Sequence, residues 1–503
     1  MHRSKRLLIL VGVLAVVCAA AFLATRVQEQ QEQVEASGET VLAIDAGNVA
    51  SLAWTSGEAE YAFHKDETWL YDADEAFPVS AEALEELLAP FSSFNAAFVI
   101  RDVTDYAQYG LEEPECTIEI GTAEASYTIA FGDMSAMDDQ RYVSIGDGNV
   151  YLAVTDPMDA FAVELPDLID NDEIPQMDTV TALSLTGAVE ESIAYVEAGG
   201  PSYSDEDVYF LQSGEESLPL DTDLVEDYLG GIRDLVLTDY ATYNATEIEL
   251  ASFGLNDPAL TVTVEYEQQA EAAEEGAEPE TTAGTLALHI GRVEEAEESA
   301  EETAESAEDI SQEEAQYAYY LRVGDSQIVY NLSDADGEAL FAGSYDDLRH
   351  RQLFWGDFDD VAQATILLDN QTYTLTAQTA ETAETGEDAD AAAGSAEPTA
   401  AAAAEDDAEI TWICNGETVD VTGIRDKLAA LTAEAFTEEA PADQLEISLT
   451  LDLNDEDVPQ VRIQLYRYDG ASCLAVLDGE PAALVAREDV VDLMEAVRTL
   501  LLG

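Results

Sequence analysis

The stretch Tyr109-Gly-Leu-Glu-Glu-Pro-Glu-Cys-Thr-Ile-Glu-Ile120 recurs further along the chain as Phe253-Gly-Leu-Asn-Asp-Pro-Ala-Leu-Thr-Val-Thr-Val264. In each copy the Gly suits a left-handed backbone conformation, and the Pro stops a helix and admits a strand. The alternation of apolar and polar residues that follows is typical of a half-buried strand. The same turn leads twice into the same kind of strand, which predicts an internal repeat.

The strands that precede this turn have a pattern that occurs three times in the chain, so the sequence predicts a third unit. Each unit opens with an extended segment that starts at a Val, and a second strand follows in which aromatic and polar residues alternate. The opening segments are residues 49–54, 180–185 and 361–366. The second strands are residues 68–71, 208–211 and 410–413. The third unit keeps the later strand, at residues 445–451, but lacks the Gly-Leu-x-x-Pro turn.

A helix is predicted after the second strand of each unit. It begins at a residue type that favours the N-cap position, namely Ser80, Asp221 and Asp420. Apolar residues then recur at helical spacing and form one stripe per helix. The stripes are Leu84, Leu88 and Phe91; Val225, Leu229 and Ile232; and Ile424, Leu428 and Leu431.

Each unit is predicted to close with a hairpin and a final helix. The hairpin turns carry Gly-Asp or Asp-Gly pairs, which favour tight turns. In the first unit Asp156-Pro157 predicts the start of a helix that ends near Leu165.

These patterns predict an α+β fold of three repeated modules, each a mainly antiparallel sheet with one or two helices. Module 1 is assigned to residues 41–170, module 2 to 171–358 and module 3 to 359–503. Acidic segments rich in Ala, Glu, Thr, Ser and Gly interrupt the modules, and their composition predicts disordered insertions. They are residues 267–284 and 293–316 in module 2 and residues 377–409 in module 3.

The N-terminal region predicts a membrane anchor. Residues 7–24 form an uncharged apolar run that is just long enough to cross a bilayer. Arg3, Lys5 and Arg6 place the N-terminus in the cytoplasm by the positive-inside rule. Residues 1–26 are therefore assigned as a cytoplasmic tip and transmembrane helix, and residues 27–40 as a polar stalk. A cleaved signal peptide ending near Ala19–Ala21 and a lipoprotein modified at Cys18 are the alternatives.

The charge balance excludes several classes of partner. The 503 residues contain 18 Lys plus Arg against 108 Asp plus Glu, which gives a formal net charge of −90. Nucleic acids and anionic lipid headgroups both require a basic surface, so the sequence predicts neither as a partner of the main body. The hydrophobic fraction of 47% is high enough for packed cores and argues against a wholly disordered chain.

The residues that usually carry chemistry are scarce. None of the four histidines lies at metal-ligand spacing from another His or Cys, so a zinc site is not expected. The chain has no phosphate-binding Gly-rich loop and no serine-nucleophile or zinc-protease motif. Calcium is the cofactor to consider, but the best candidate, Asp334-Ala-Asp-Gly337, would put Leu332 and Gly343 where carboxylates are needed. We expect no cofactor and no enzyme activity.

One cluster is a candidate partner-binding surface. Arg349-His350-Arg351 is the densest basic stretch of the chain, and it is followed closely by Phe354 and Trp355. Arginine beside aromatic residues suits an acidic group on a partner. The alternative is a hinge between modules, in which Phe354 and Trp355 are packed and the arginines neutralise Asp346, Asp347 and Asp357.

The cysteines outside the N-terminal segment allow two arrangements. Cys414 and Cys473 could pair in an exported protein and leave Cys116 alone. Alternatively, all three are buried and unpaired thiols.

The order of motifs resembles that of the bacterial domain of unknown function 4340 family. The shared features are a basic N-terminus with one membrane span, a Trp-x-Tyr strand, Phe77-Pro-Val-Ser80 before a helix, the Tyr109-to-Pro114 turn and a Tyr-Val hairpin. The resemblance is strongest over residues 49–169 and weaker over 180–355. It implies a membrane-anchored extracytoplasmic protein, often associated with ABC-type transport proteins, and it brings no catalytic residues.

Two functions follow as hypotheses. The first is a non-enzymatic binding or accessory subunit of an ABC-type transport or cell-envelope system, attached to the cell membrane by one span with the bulk of the chain outside. The second is an acidic structural or cation-binding envelope protein, whose negative surface is itself the function.

Overall fold

Three antiparallel sheets of nine strands each form the architecture in the computed structural model. The structure describes residues 39–57, 59–136, 140–214, 216–269, 281–294, 316–379, 410–455 and 458–502. Each of the three predicted modules contains one sheet. The predicted module boundaries at residues 170 and 358 stay predictions.

The first sheet contains strands β1 to β9, in the spatial order β1-β5-β9-β8-β7-β6-β2-β3-β4. Their bounds are β1 Glu39–Leu42, β2 Val49–Ser56, β3 Ala59–Lys65, β4 Trp69–Tyr71, β5 Phe94–Ile100, β6 Cys116–Thr122, β7 Ser126–Met134, β8 Arg141–Ser144 and β9 Val150–Ala153.

The second sheet contains strands β10 to β18. Their bounds are β10 Thr179–Gly187, β11 Glu191–Tyr195, β12 Tyr209–Ser213, β13 Glu216–Pro219, β14 Tyr240–Thr242, β15 Leu260–Gln269, β16 Thr281–Glu294, β17 Tyr317–Val323 and β18 Val329–Leu332. Eight of them run in the order β13-β12-β11-β10-β15-β16-β17-β18.

The third sheet repeats this order as β22-β21-β20-β19-β24-β25-β26-β27 and adds β23 at the edge next to β27. Its bounds are β19 Val361–Leu368, β20 Gln371–Thr379, β21 Ile410–Cys414, β22 Glu417–Val419, β23 Ala433–Phe436, β24 Leu445–Leu453, β25 Gln460–Arg467, β26 Ser472–Leu477 and β27 Glu480–Ala486.

The repeat extends to the register of the strands. The opening strand of each sheet pairs with the strand that follows the predicted turn, as β2 with β6, β10 with β15 and β19 with β24. Each of these pairs contains one β-bulge, at Val49/Ser51, Val180/Ala182 and Val361/Gln363. A bulge re-aims the strand that carries it. Its return near the start of all three opening strands confirms the internal repeat that the sequence predicts.

Helices are few. They are α1 Ala81–Leu88, α2 Thr222–Arg233, α3 Glu247–Ser252, α4 Asp334–Phe341, α5 Tyr345–Leu348, α6 Thr422–Ala429 and α7 Arg487–Leu502. The predicted stripes on α1, α2 and α6, together with Phe91 and Leu431 just beyond the helix ends, are all buried. Ser80 and Asp221 cap α1 and α2 as predicted, through backbone N–H donors of Ala83 and Asp223. In the third module the cap position is Val421, while Asp420 accepts from the backbone N–H of Thr422.

The fold is more β than the predicted α+β class. The helix expected after Asp156 is replaced by two short 3-10 turns, Met158–Phe161 and Leu165–Leu168. Pro166 lies at the start of the second turn, where the missing N–H and the fixed φ favour a fresh start over a continued helix. Strands β3, β11 and β20 were not predicted, and they turn each opening strand into a hairpin.

The predicted turn has the expected conformation in both copies. Gly110 and Gly254 take φ of 69° and 70°. In each copy the following Leu donates its backbone N–H five residues back, Leu111 to Tyr106 and Leu255 to Leu250. These bonds close the turn ahead of β6 and β15.

Strands extend into all three of the predicted insertions. β15 ends at Gln269 and β16 starts at Thr281, both inside 267–284, β16 ends at Glu294 inside 293–316, and β20 ends at Thr379 inside 377–409. Strand β1 likewise begins inside the predicted stalk. The remainder of the insertions and residues 1–38 lie outside the described residues. Within the described ranges, no helix combines the length and apolar composition needed to cross a bilayer.

Internal contacts divide the chain into two compact units. One comprises Met1–Glu173 with Tyr240–Thr246, and the other Ile174–Asp239 with Glu247–Gly503. Tyr243 explains why a short segment from module 2 belongs to the first unit. Its hydroxyl donates to Asp74 at 2.7 Å, and its ring meets the Phe77 ring edge-on at 5.1 Å.

The cysteines form no disulfide in the described part of the chain. Cys116, Cys414 and Cys473 are buried free thiols, so the second of the two predicted arrangements is the one observed. Burial raises the pKa of Cys116 and of Cys473 to about 11. A thiol with so high a pKa holds little of the reactive thiolate at neutral pH.

Thiol reactivity tests this arrangement. In a Cys18→Ala variant, we expect native protein at pH 8 to react slowly with a disulfide reagent and the denatured protein to release three equivalents without reductant. If the denatured protein instead shows one reactive thiol without reductant and three after reduction, two of the cysteines are joined by a disulfide.

The left-handed turn predicts a contrast between two glycines of the second unit. A Cβ at Gly254 has no neighbour closer than 3.6 Å, so only its positive φ opposes a side chain. We expect Gly254→Ala to lower the free energy of unfolding by about 1–2 kcal/mol. The matched control is Gly230→Ala inside α2, where a Cβ meets nothing within 4 Å. It should raise stability by about 0.5–1 kcal/mol. If urea unfolding shows the same change in the free energy of unfolding for both variants, the left-handed conformation of Gly254 is contradicted.

Candidate functional site

The predicted basic cluster lies on the segment that joins the second sheet to the third, inside the second compact unit. This junction segment, residues 349–355, follows α5 and pairs with residues 431–433 of module 3. Leu353 donates its backbone N–H to Leu431 at 3.0 Å, and Ala433 donates to Arg351 at 2.7 Å. These backbone bonds fix the segment between the two sheets, so its side chains are held by both modules.

A buried carboxylate holds the junction segment from the module 2 side. The Asp207 side chain is 3% exposed. One oxygen lies 2.9 Å from His350 Nε2, and the other accepts from Trp355 Nε1 at 2.9 Å and from the Ser202 hydroxyl. A buried charge is tolerated when it is paired and hydrogen-bonded. Asp207 therefore fixes two side chains of the segment at once.

His350 lies between two carboxylates and against an aromatic ring. Its Nδ1 is 3.5 Å from Asp221 Oδ2, the carboxylate that also caps α2. Its ring stacks on Trp355 with centroids 4.4 Å apart and planes 10° from parallel. With a carboxylate at each ring nitrogen, the imidazolium form can donate from both. This arrangement occupies His350 fully in holding the segment.

Arg349 points to module 3. Its guanidinium lies 3.5 Å from the centre of the Phe436 ring and donates to the Ala482 carbonyl at 2.9 Å. Among the described residues its one ion pair, with Asp346, is long at 3.4 Å, and the Asp346 side chain is 63% exposed. Burial lowers the pKa of Arg349, because its side chain is only 19% exposed. A partly desolvated cation with a single weak counter-ion retains capacity for an anion.

The four predicted site residues take different positions. Arg351 is exposed and its guanidinium lies 5.9 Å from the Phe436 ring, so both arginines face the same aromatic side chain. Trp355 is half-buried and stacks on Tyr203 at 4.2 Å. Phe354 is 5% exposed and belongs to the core of the third sheet. The structure thus brings Arg349, Arg351 and Trp355 together and removes Phe354 from the accessible surface.

The hinge interpretation of the same cluster is correct in part. Phe354 and Trp355 are packed, as that interpretation requires, and Arg349 approaches Asp346. Asp347 instead accepts from Ser344, and Asp357 accepts from the backbone N–H of Asp359. Two of the three predicted counter-ions therefore serve local turns, which leaves the basic spot less neutralised than expected.

A cavity of about 440 Å³ opens beside the junction segment, and we call it the junction cleft. Its aromatic and basic wall is formed by Tyr203, Tyr345, Arg349, Arg351, Trp355 and Phe436. Its apolar wall includes Pro201, Leu218, Pro219, Val458, Leu477 and Pro481. A volume of this size is typical of small-molecule sites, which are mainly apolar with a few placed polar groups.

Sequence reasoning missed the acidic end of the junction cleft. Asp478 and Glu480 line it from the turn between β26 and β27. Asp478 accepts from the Tyr203 hydroxyl at 2.6 Å and from the backbone N–H of Arg462 at 2.8 Å, whereas Glu480 is exposed. The pair Asp478-Gly479 predicts a hairpin turn from the sequence. Nothing in the sequence indicates that this turn lies near Arg349, which is more than 100 residues away.

The other candidates do not assemble a site in the described residues. No group of three or more His, Cys, Asp or Glu side chains is placed to hold a metal there. The calcium candidate at Asp334 and Asp336 forms the first turn of α4, capped by Ser333.

Fold and site together define a class: a protein of repeated nine-stranded antiparallel sheets with a ligand-sized cleft between the second and third sheets. Residues 69–249 match the family model described as Domain of unknown function (DUF4340), which confirms the predicted resemblance over this range. No curated protein and no solved structure matches the chain. The matched range includes Tyr203, Asp207 and Leu218 but ends before the junction segment, so the family match covers only part of the candidate site.

Replacing Asp207 tests whether it holds the junction segment. Asp207→Ala removes the buried carboxylate that His350, Trp355 Nε1 and Ser202 share, and we expect a loss of about 3–5 kcal/mol in the free energy of unfolding. The matched control is Asp205→Ala, an exposed neighbour, which should change stability by less than about 0.5 kcal/mol. Similar urea midpoints for the two variants would contradict the proposed role of Asp207.

Proposed function

We propose that the protein is a non-enzymatic binding or accessory subunit of an ABC-type transport or cell-envelope system, and that it binds through the junction cleft. The observation that carries the proposal is the cleft itself, where two partly unneutralised arginines face an apolar wall. Hydrogen-bonded contacts on both sides fix this arrangement before any ligand arrives, and preorganisation of this kind lowers the cost of binding.

The proposal includes the location of the protein. Residues 7–24 anchor the chain in the cell membrane as one transmembrane helix, with residues 1–6 in the cytoplasm and the modules outside. The apolar run with basic residues before it supports this topology. The family resemblance supports ABC-type transport proteins as interaction partners. The acidic surface keeps the exported part soluble and repels anionic lipid headgroups.

A binding role without catalysis agrees with the chemistry of the cleft. The imidazole of His350, the lining residue best suited to proton transfer, faces Asp207 and Asp221. The hydroxyl of Tyr203 is engaged with Asp478, and burial together with this bond raises the pKa of Tyr203. His350 and Tyr203 are therefore engaged in contacts within the protein. The groups that remain available to a ligand are the two arginines and the apolar side chains of the cleft.

Purification from membranes tests the proposed function. We expect the full chain, extracted from membranes in mild detergent, to recover a transport permease or ATPase subunit, and deletion of residues 7–24 to abolish its membrane association. Arg351→Glu should weaken the recovery, because it reverses a charge at the cleft. Arg425→Glu, at an exposed arginine outside the cleft, should leave it unchanged.

Two results would contradict the proposal. One is that no transport or envelope subunit is recovered and that transport is unchanged when the gene is deleted. The other is that Arg351→Glu and Arg425→Glu reduce recovery equally, because the interaction would then follow net charge rather than the junction cleft.

A further inference from the structure

The junction cleft carries charges of both signs at opposite ends. The guanidinium groups of Arg349 and Arg351 lie about the Phe436 ring, at 3.5 Å and 5.9 Å from its centre. Phe436 pairs with Ala483 across β23 and β27, and Arg349 also donates to the Ala482 carbonyl. The basic end of the cleft is thus located beside residues 482–483 of β27.

The acidic end lies at the start of the same strand. Glu480 is the first residue of β27, and Asp478 is in the turn just before it. Strand β27 is irregular here, because Ala475 pairs with Ala483 whereas Val476 pairs with Pro481. The carbonyl of Ala482 accepts from Arg349, so the acidic and the basic groups of the cleft lie beside the same stretch of β27.

The two acidic side chains differ in availability. Asp478 already accepts from Tyr203 and from the backbone N–H of Arg462. Its oxygens are used in holding the β26–β27 turn against module 2. Glu480 is exposed, so its carboxylate is the group of this end that can meet a cation.

We propose that the junction cleft binds a short zwitterionic peptide with apolar side chains, a dipeptide in its simplest form. The peptide's carboxylate faces Arg349 and Arg351, and its ammonium group faces Glu480. Its side chains face Leu218, Pro219, Val458 and Leu477. This inference rests on the proposed binding function and specifies its ligand.

Charge complementarity favours this ligand over a purely anionic one. An anion would gain from the arginines but would be repelled by Glu480 and Asp478 on the same wall. A zwitterion satisfies both ends. The apolar wall and the volume of about 440 Å³ suit a compact ligand with hydrophobic side chains.

Calorimetric titration of the full chain in detergent with leucyl-leucine tests the inference. The comparison ligands are N-acetyl-leucyl-leucine, which lacks the ammonium group, and leucyl-leucine amide, which lacks the carboxylate. We expect each cap to weaken binding about tenfold, which corresponds to about 1.4 kcal/mol. Equal binding of the free and capped peptides, or no binding of leucyl-leucine at millimolar concentration, would overturn the inference.

Two variants assign the ends of the ligand. Glu480→Gln should weaken leucyl-leucine about tenfold but leave N-acetyl-leucyl-leucine unaffected, and Arg351→Gln should weaken leucyl-leucine but leave the amide unaffected. Both residues are exposed, so the variants should fold. The controls are Glu417→Gln and Arg425→Gln, exposed residues outside the cleft. If N-acetyl-leucyl-leucine binds as tightly as leucyl-leucine, the ligand is an acid and the zwitterion inference is wrong.

The peptide titration and the purification from membranes test the ligand and the proposed function separately. Recovery of a transport subunit from membranes without peptide binding would leave the binding role intact and remove the zwitterionic ligand. Peptide binding without any recovered subunit would support the ligand class and remove the association with a transport system.

Discussion

The position of the junction segment against module 2 depends on one buried carboxylate. Asp207 is 3% exposed and takes hydrogen bonds from Trp355 and Ser202 while facing His350 at 2.9 Å. Because an unpaired buried charge is costly, these partners must stay in place while the module is folded. Two of them belong to the junction segment, so Asp207 fixes the module 2 side of the segment, while the backbone bonds of Leu353 and Ala433 fix its module 3 side.

The sheets on either side of this junction share one plan. Each opening strand forms a hairpin with the next strand and pairs on its other side with the strand that begins the later meander, with a bulge near its start. The second and third sheets have the same strand order over eight positions. The cleft therefore lies between two copies of one fold, where the edge strand β13 of one approaches β23 and β27 of the other.

The sequence predicts the repeat well, because the repeat depends on local signals. Gly254 and Pro258 mark a turn and a strand start by backbone preference alone, and apolar stripes such as Val225, Leu229 and Ile232 mark a buried helix face. It fails where tertiary contacts decide. Strand β3 contains Ala59, Glu60 and Lys65, which have weak strand preference, and it forms because β2 and β4 pair with it.

The candidate site shows the same division. Arg349, Arg351 and Trp355 were found because they are adjacent in sequence, and Phe354 was included with them although packing takes it into the core. Asp207, Phe436 and Glu480 could not be found, since each is brought to the junction by long-range pairing. The local density of basic and aromatic residues predicts a binding surface at residues 349–355. That acidic residues line the same cleft follows only from the fold, because they come from a distant part of the chain.

The junction segment is fixed to both sheets, so the cleft exists before a ligand binds. Native-state hydrogen exchange can be measured at the amides of Leu353 and Ala433, which pair the junction segment with module 3. We expect these amides to be protected as strongly as those of the central strand β24 and to exchange only through unfolding of the whole unit. Exchange of these two amides at the rate of exposed loops, while β24 stays protected, would contradict it.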